Sequence, residues 1–200
     1  LLVWWTVGYE GNRLAYTPGG LAFCDSWGCL RHAANTAFLA FVYADMITDS
    51  TRKTRYTNFA KSQIDYALGS NPRNSSYVVG YGSNSPQHPH HRNAHSSYLG
   101  LITDPPNHRH ILYGALVGGP SQSDAYNDSI SDYVCNEVAT DYNAGFTAAL
   151  MKLITTNGGS PLANFPQPET KEPEMFAEAC YNNSYGTYSE IRLNMNNRSG

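Results

Sequence analysis

"WGCLRHAANTAFLAFVYADMI", residues 27–47, sets the fold class. Leu30, Ala33, Ala34, Ala37, Phe38, Phe41 and Val42 recur at spacings of three and four, the stripe that one face of an α-helix buries. "TPGG" and "DS" precede the run, so Asp25 or Ser26 is the expected N-terminal cap. A second run, "STRKTRYTNFAKSQIDYALG", places Tyr56, Phe59, Ala60, Ile64 and Ala67 on one side and stops at Gly69, with Pro72 just beyond. A third helix is expected from Ser131 or Asp132 to about Thr156, because Val134, Val138, Tyr142, Phe146 and Leu150 follow at four-residue steps. The expected class is therefore all-α, with one exception at the C-terminal end.

That exception follows "NGGSPLANFPQPETKEPE". In "MFAEACYNN" and "YSEIRLNMNN" the period changes to two, Ile191, Leu193 and Met195 alternating with Arg192, Asn194 and Asn196. The expected division is a helical domain over residues 1–160, a Pro-rich linker over 161–173 and the start of a β-rich module over 174–200. Two strands alone are marginally stable, so the module is expected to be incomplete.

Between the second and third helices lies a loop region of about sixty residues, crowded with Gly, Pro, His, Asn and Ser; so long an insert in a compact domain is usually functional. Its C-terminal edge carries "YNDSISDYVCNEVATDYNAGF", residues 126–146, where Asp128, Asp132, Glu137 and Asp141 occur without a single base. Its centre carries "SYVVGYGSNSPQHPHHR", residues 76–92. His88, His90, His91 and His95 read either as solvated loop histidines or as a zinc cluster; the alternative is that His90 and Arg92 are donors aimed at substrate hydroxyls. No HExxH pair is present and Pro89 splits the run, which argues against zinc. Arg92 offers a planar fork of donors.

Composition narrows the ligand. The 200 residues carry 13 Lys+Arg against 16 Asp+Glu, a formal charge of −3, and only 14% are charged. Such a chain has no basic face for phosphate backbones, so nucleic acid is not an expected partner. Fifteen tyrosines among many Asn, Ser and Gly suit neutral polyhydroxyl ligands. No run approaches the roughly 18 apolar residues of a membrane span, so no membrane contact is expected. The opening "LLVWWTVGYEGNR" has no Met, basic stretch or small-residue cleavage site, and it reads as the interior of a longer chain. The four cysteines, Cys24, Cys29, Cys135 and Cys180, are expected to be mostly buried small side chains, with a Cys24–Cys29 or other disulfide as the minority case.

Two segments resemble the signatures of family 9 glycoside hydrolases. The first is Ser76-x-Val78-Val79-x-x-Gly82-x-Asn84, four residues, then Pro89-His90-x-Arg92. The second is Tyr126-x-Asp128, four residues, Tyr133, three residues, Glu137-x-Ala139, three residues, Asn143-Ala144. "YTPGGLAFCDSWGCLRHAANTAFLAFVYAD" and "DYALGSNPRNSSYVVGYG" are also similar to family segments, and the resemblance covers roughly residues 13–166. From about residue 173 the chain resembles the opening of a family 3 carbohydrate-binding module, a β-sandwich.

The resemblance implies part of an (α/α)6 barrel, the C-terminal half of the catalytic domain of an endo-β-1,4-glucanase that acts with inversion. Glu137 occupies the general-acid position, expected to keep its proton through burial against Tyr133 and Tyr142 and the like charge of Asp128 or Asp141. Asp128 is expected to orient the site or the substrate. His90 and Arg92 are expected to contact the sugar beside the cleaved bond, Trp27 to offer a stacking platform unless it is a core residue at a helix start, and Tyr142 to line the same cleft. Asp141 is expected to be a structural hydrogen-bonding partner.

The family's base comes from an N-terminal segment with paired aspartates, and no such stretch occurs here. The implied partner is cellulose or another β-1,4-glucan, the implied location extracellular, and the piece alone is expected to be inactive. No cofactor is expected in this piece; calcium belongs to residues upstream in the full-length parent. A non-catalytic carbohydrate-binding protein that keeps the cleft is the alternative, and a metal-dependent hydrolase built on the histidines ranks third. The sequons at Asn74, Asn127, Asn182 and Asn197 are candidate glycosylation sites.

Overall fold

The structure, a computed structural model, describes residues 1–97, 100–169 and 175–197. Its frame is three helices: α2 (Cys29–Met46), α3 (Ser50–Leu68) and α6 (Thr140–Asn157), with a short α1 (Leu2–Thr6) and single turns α4 (Arg92–His95) and α5 (Tyr133–Asn136). The first two long helices lie where the apolar spacing puts them. Asp49 caps α3 by accepting from the Arg52 amide, and Gly69, at φ 130°, ends it. The cap expected at Asp25 or Ser26 of α2 is instead Gly28, at φ 64° and without a side-chain hydrogen bond. Asp25 still turns the chain, accepting from the Trp27 amide at 3.0 Å.

A connection of three residues folds α3 back along α2, and Tyr43 and Tyr56 meet across the pair at 5.7 Å. α6 runs in the same direction as α2. Arg31 pairs with Asp141 near the start of both helices, Gly145 meets Asn35 further along, and Lys152 pairs with Asp45 near the end. A Cβ on Gly145 would lie 2.7 Å from the Asn35 backbone, so only glycine allows this approach. Ala33, Ala37, Ala40 and Ala44 of α2 are buried together with Phe41, Phe59, Ile64, Phe146 and Ala149. Small residues on α2 let its neighbours come close, and aromatic rings fill the remaining space.

The third helix is interrupted where a continuous one was expected. α5 ends at Asn136, Glu137 turns to ψ 142°, and α6 starts only at Thr140. The cause is competition for carbonyls. Gly28 donates to Val134 O, Gly119 to Cys135 O at 2.9 Å, and His90 to Asn136 O at 2.7 Å. Those acceptors would otherwise serve the next helical turn. A Cβ on Gly118 would lie 2.5 Å from Val134 O, so the loop reaches the site of the break only because glycine stands there.

Beyond α6, β1 (Met175–Ser184) and β2 (Ser189–Asn197) pair antiparallel, Met175 opposite Asn197, with an irregularity between Tyr181 and Asn183. Ile191, Leu193 and Met195, the residues of the period-two pattern, are exposed in this hairpin. Part of the expected linker and module, residues 170–174 and 198–200, lies outside the described residues. Before that gap the chain rests on the helical body: Glu169 accepts from the Ile111 amide at 2.9 Å and contacts His110 Nδ1 at 3.0 Å, and Phe165 packs edge-on to Tyr113.

All four cysteines are free, and only Cys29 is buried, with Cys24 exposed and Cys135 and Cys180 half-buried. The expectation of mostly buried cysteines therefore fails outside α2, because the other three lie on loops, a one-turn helix and a hairpin that are covered on one side at most. Asn74 and Asn127 are exposed; the Asn182 side chain and the residues completing the Asn197 sequon lie outside the described residues.

Candidate active site

The helix break presents Glu137. Held at ψ 142° and bridged in parallel to His90, its backbone is extended, so its side chain leaves the axis of α6 and enters the space before it. There two donors meet one oxygen. Trp27 Nε1 lies 2.7 Å from Glu137 Oε2, and Tyr142 Oη lies 2.7 Å from the same atom. Among the described residues, Oε1 accepts no hydrogen bond.

Tyr142 is fully buried although it starts a helix. Burial first, and then the hydrogen bond to Glu137, push its hydroxyl above the ordinary phenol range, so it remains a donor. Gly28 makes room for it: a Cβ there would come within 2.6 Å of Tyr142 Oη. Trp27 keeps 44% of its surface exposed. Its indole packs at 5.1 Å against Tyr133, which in turn meets the His90 ring at 6.0 Å. Trp27 is thus neither a core residue nor a bare platform; its N–H is committed to the acid while one flank remains open.

His90 is fixed from both ends. Its amide donates to Asn136 O, and its Nδ1 lies 2.5 Å from Ile130 O. A carbonyl only accepts, so Nδ1 carries the hydrogen and Nε2 is the open ring nitrogen. Arg92, at the start of α4, is exposed and makes no side-chain hydrogen bond among the described residues. It lines, with His90, Leu101, Ile102 and Ile130, a cavity of about 290 Å³.

Two of the four acids of residues 126–146 meet basic side chains from elsewhere in the chain. Asp141 pairs with Arg31 at 3.2 Å. Asp128 accepts from the Gln87 amide at 2.9 Å, the His88 amide at 3.1 Å and contacts His88 Nδ1 at 3.3 Å. Asp128 therefore pins the loop that delivers His90, and neither aspartate stands as an uncompensated charge. The like charge expected beside Glu137 is thus offset by Arg31 at Asp141 and by two backbone amides at Asp128. The burial expected against Tyr133 is also slight, since Tyr133 is 48% exposed.

Two residues of this arrangement escape the sequence reading. Asn136 is fully buried and accepts from Tyr126 Oη, while its amide donates to Asn127 O at 2.5 Å and Ser129 O at 3.2 Å. It locks the turn that precedes the acid. Arg31 sits on the polar face of α2, where spacing alone gives no signal. Among the described residues no group of three or more His, Cys, Asp or Glu side chains is placed to hold a metal. No helix there is long and apolar enough to cross a membrane.

A sequence model described as Glycosyl hydrolase family 9 matches residues 1–150. The chain belongs to that family. It is 58% identical over 201 residues to endoglucanase B of Cellulomonas fimi, covering 99% of this chain and 19% of that protein. Endoglucanase A of Bacillus pumilus is 54% identical over 205 residues, covering 100% of this chain and 31% of that protein. Among solved structures, endoglucanase CelQ from Clostridium thermocellum, complexed with cellobiose and cellotriose, superimposes with a TM-score of 0.85 at 61% identity, over 99% of this chain and 33% of that one. The chain thus spans a third or less of these family 9 relatives. Their similarity extends past residue 150 and includes the hairpin.

Proposed function

We propose that the family 9 protein carrying this chain hydrolyses internal β-1,4-glucosidic bonds of cellulose and related glucans with inversion, and that Glu137 is its general acid. The single observation that carries this reading is the convergence of Trp27 and Tyr142 on Oε2. An indole N–H can only donate and the protonated phenol donates to the carboxylate, so Oε2 already accepts two hydrogen bonds and Oε1, which accepts none among the described residues, is the favoured place for the carboxyl proton. When Glu137 is protonated its hydrogen is on Oε1, the open oxygen, where a leaving glycosidic oxygen would receive it. Inversion pairs that acid with a carboxylate that activates water on the opposite sugar face. The base comes from a segment outside these residues, and the 200-residue piece alone does not turn over. Endoglucanase relatives, one of them solved with bound cellobiose and cellotriose, support a β-glucan substrate.

Within that reading the residues take separate roles. His90, with Nδ1 held by Ile130, offers Nε2 to a sugar hydroxyl, and Arg92 offers its guanidinium across the adjoining cavity. Trp27 presents its open flank to a sugar face, and Asp128 orders the loop between them. The helices form part of an (α/α)6 barrel, residues 161–173 link it to the next module, and the hairpin is the start of a family 3 carbohydrate-binding β-sandwich. Because cellulose is an extracellular polymer, we read the parent as a secreted protein.

The test is release of reducing ends from a soluble β-1,4-glucan by the longer chain and by its Glu137→Gln variant, with the anomer of the first product read by NMR. The proposal requires an α-anomer from the parent and a fall of roughly 10²–10⁴ in kcat for the variant. A parent that binds the glucan and releases nothing would make the protein a binder.

A further inference from the structure

Arg31 stands behind the acid and touches the residues that hold it. Its guanidinium carbon lies 4.9 Å from the centroid of the Tyr142 ring, and Nη2 is within 3.5 Å of the Trp27 carbonyl. Nη1 is 3.2 Å from Asp141 Oδ2, and Nη2 is 3.2 Å from His32 Nε2. Its Nε is buried without a hydrogen-bond partner among the described residues. The side chain is therefore held over the Tyr142 ring by one ion pair and by its contacts with the Trp27 carbonyl and His32, with one buried donor left unused. Tyr142 cannot retreat from it on the Gly28 side, where the backbone already packs against the phenol.

We propose that Arg31, anchored by Asp141, is a positioning residue for the general acid: its planar guanidinium holds the Tyr142 ring and the Trp27 backbone where both donate to Oε2 of Glu137. The inference rests on Glu137 being that acid. A cation over an aromatic face attracts the ring's electron density, and it leaves the phenol a stronger donor. A guanidinium does this while its separate N–H groups reach a carbonyl and a carboxylate; an ammonium is a compact, strongly hydrated point charge that cannot do all three. The two donors fix the plane of the carboxyl group, and so the direction in which Oε1 delivers its proton. Arg31 lies outside both signature segments.

A loss of acid positioning has a signature that general loosening lacks. It harms substrates in proportion to how much their leaving group needs a proton. A β-1,4-glucan expels a sugar alkoxide and depends on the acid; 2,4-dinitrophenyl β-cellobioside expels a stable phenolate and does not. The experiment measures kcat on both substrates for the longer family 9 chain, Arg31→Lys, Arg31→Met, Glu137→Gln and Arg31→Lys/Tyr142→Phe.

The expected result for each Arg31 variant is a fall of about tenfold or more on the glucan and less than about threefold on the aryl glycoside, since misplacing a reacting group carries penalties of that order. Because both rates come from one preparation, the folded fraction cancels in their ratio. The double variant is expected to lose less on the glucan than the product of the losses of Arg31→Lys and Tyr142→Phe measured singly, since the two changes share the Tyr142 hydrogen bond. An equal fall on both substrates, or none, in both Arg31 variants overturns the inference. If Glu137→Gln keeps its glucan activity, the acid assignment itself falls. If Glu137→Gln shows the leaving-group dependence and neither Arg31 variant does, only the role of Arg31 is lost.

Discussion

Tyr142 places its hydroxyl 2.7 Å from Oε2 of Glu137, five positions earlier in the chain, and the two would not face each other in one continuous helix. The break between α5 and α6 is what makes them neighbours. It turns Glu137 out of the helical path and leaves Tyr142 in the first turn of α6, beneath Gly28.

Tyr142→Phe tests that pairing, because it keeps the ring under Arg31 and removes only the donor. A hydrogen bond to a charged group contributes about 1.5–3 kcal/mol, hence a fall on the order of tenfold to a hundredfold in kcat on unactivated glucan. KM is expected to stay near its original value, since the hydroxyl faces the acid and not the cavity beside Arg92. Steady-state kinetics of the longer chain decide the matter, and a change confined to KM would place Tyr142 among substrate contacts instead.

Asp128 carries a different prediction. Its carboxylate accepts two backbone amides, from Gln87 and His88. In Asp128→Ala the part-buried His88 amide loses its partner, which costs about 1–3 kcal/mol, while the amide of the exposed Gln87 turns to water at little cost. Asp128→Asn keeps one acceptor oxygen and is expected to fall between the two. Urea unfolding followed by circular dichroism measures this order; equal midpoints for all three proteins would mean that water replaces the carboxylate without loss.

Gly145→Ala probes the crossing that sets α6 on α2. The added methyl would lie 2.1 Å from Asn35 Oδ1 and 2.7 Å from Asn35 Cα. Overpacking of this kind costs about 1–3 kcal/mol even though alanine is the better helix former. Shortening the partner in Asn35→Ala/Gly145→Ala is expected to restore only part of the stability, because the amide can be removed and the backbone atom cannot. Full recovery, read as Tm, would show that the helices can move apart.

The sequence made α2 and α3 legible because their information is local: apolar spacing in both, and Gly69 with Pro72 after the second. The hairpin was legible for the same reason, through the alternation of Ile191, Leu193 and Met195. The break at Glu137 was not, since its cause is three amides from Gly28, Gly119 and His90, distant in sequence, and the four-residue steps from Val134 to Leu150 run through it without a flaw. Glu137, His90 and Trp27 could be singled out by their place in motifs, yet the hydrogen bond between Trp27 and Glu137 spans 110 positions. Arg31 and Asn136 have no local mark at all. One is an ordinary polar position on a helix, the other a buried amide whose partners are backbone carbonyls and a tyrosine from the preceding turn.

His108 makes the fold sensitive to acid. Its Nε2 lies 2.7 Å from Pro89 O, next to His90, and its Nδ1 is buried without a partner among the described residues. The rings of His95 and His88 stand 5.2 Å and 5.7 Å away, and Asp128, which contacts His88, supplies the opposing charge. Burial first, and then the neighbouring imidazoles, hold His108 below the ordinary histidine value despite the Pro89 carbonyl and Asp128. In the unfolded chain it takes up a proton near the usual 6.5; in the folded chain it does so only at lower pH. The unfolded state therefore binds more protons between those two values, so stability falls as pH drops through that window, and the loss stops below the folded value. Gln at this position keeps an N–H for Pro89 O and cannot titrate. From about pH 7.5 to about pH 5, Tm is expected to fall further in the parent than in His108→Gln. Parallel curves would mean that His108 takes up its proton as readily in the folded chain as in the unfolded one.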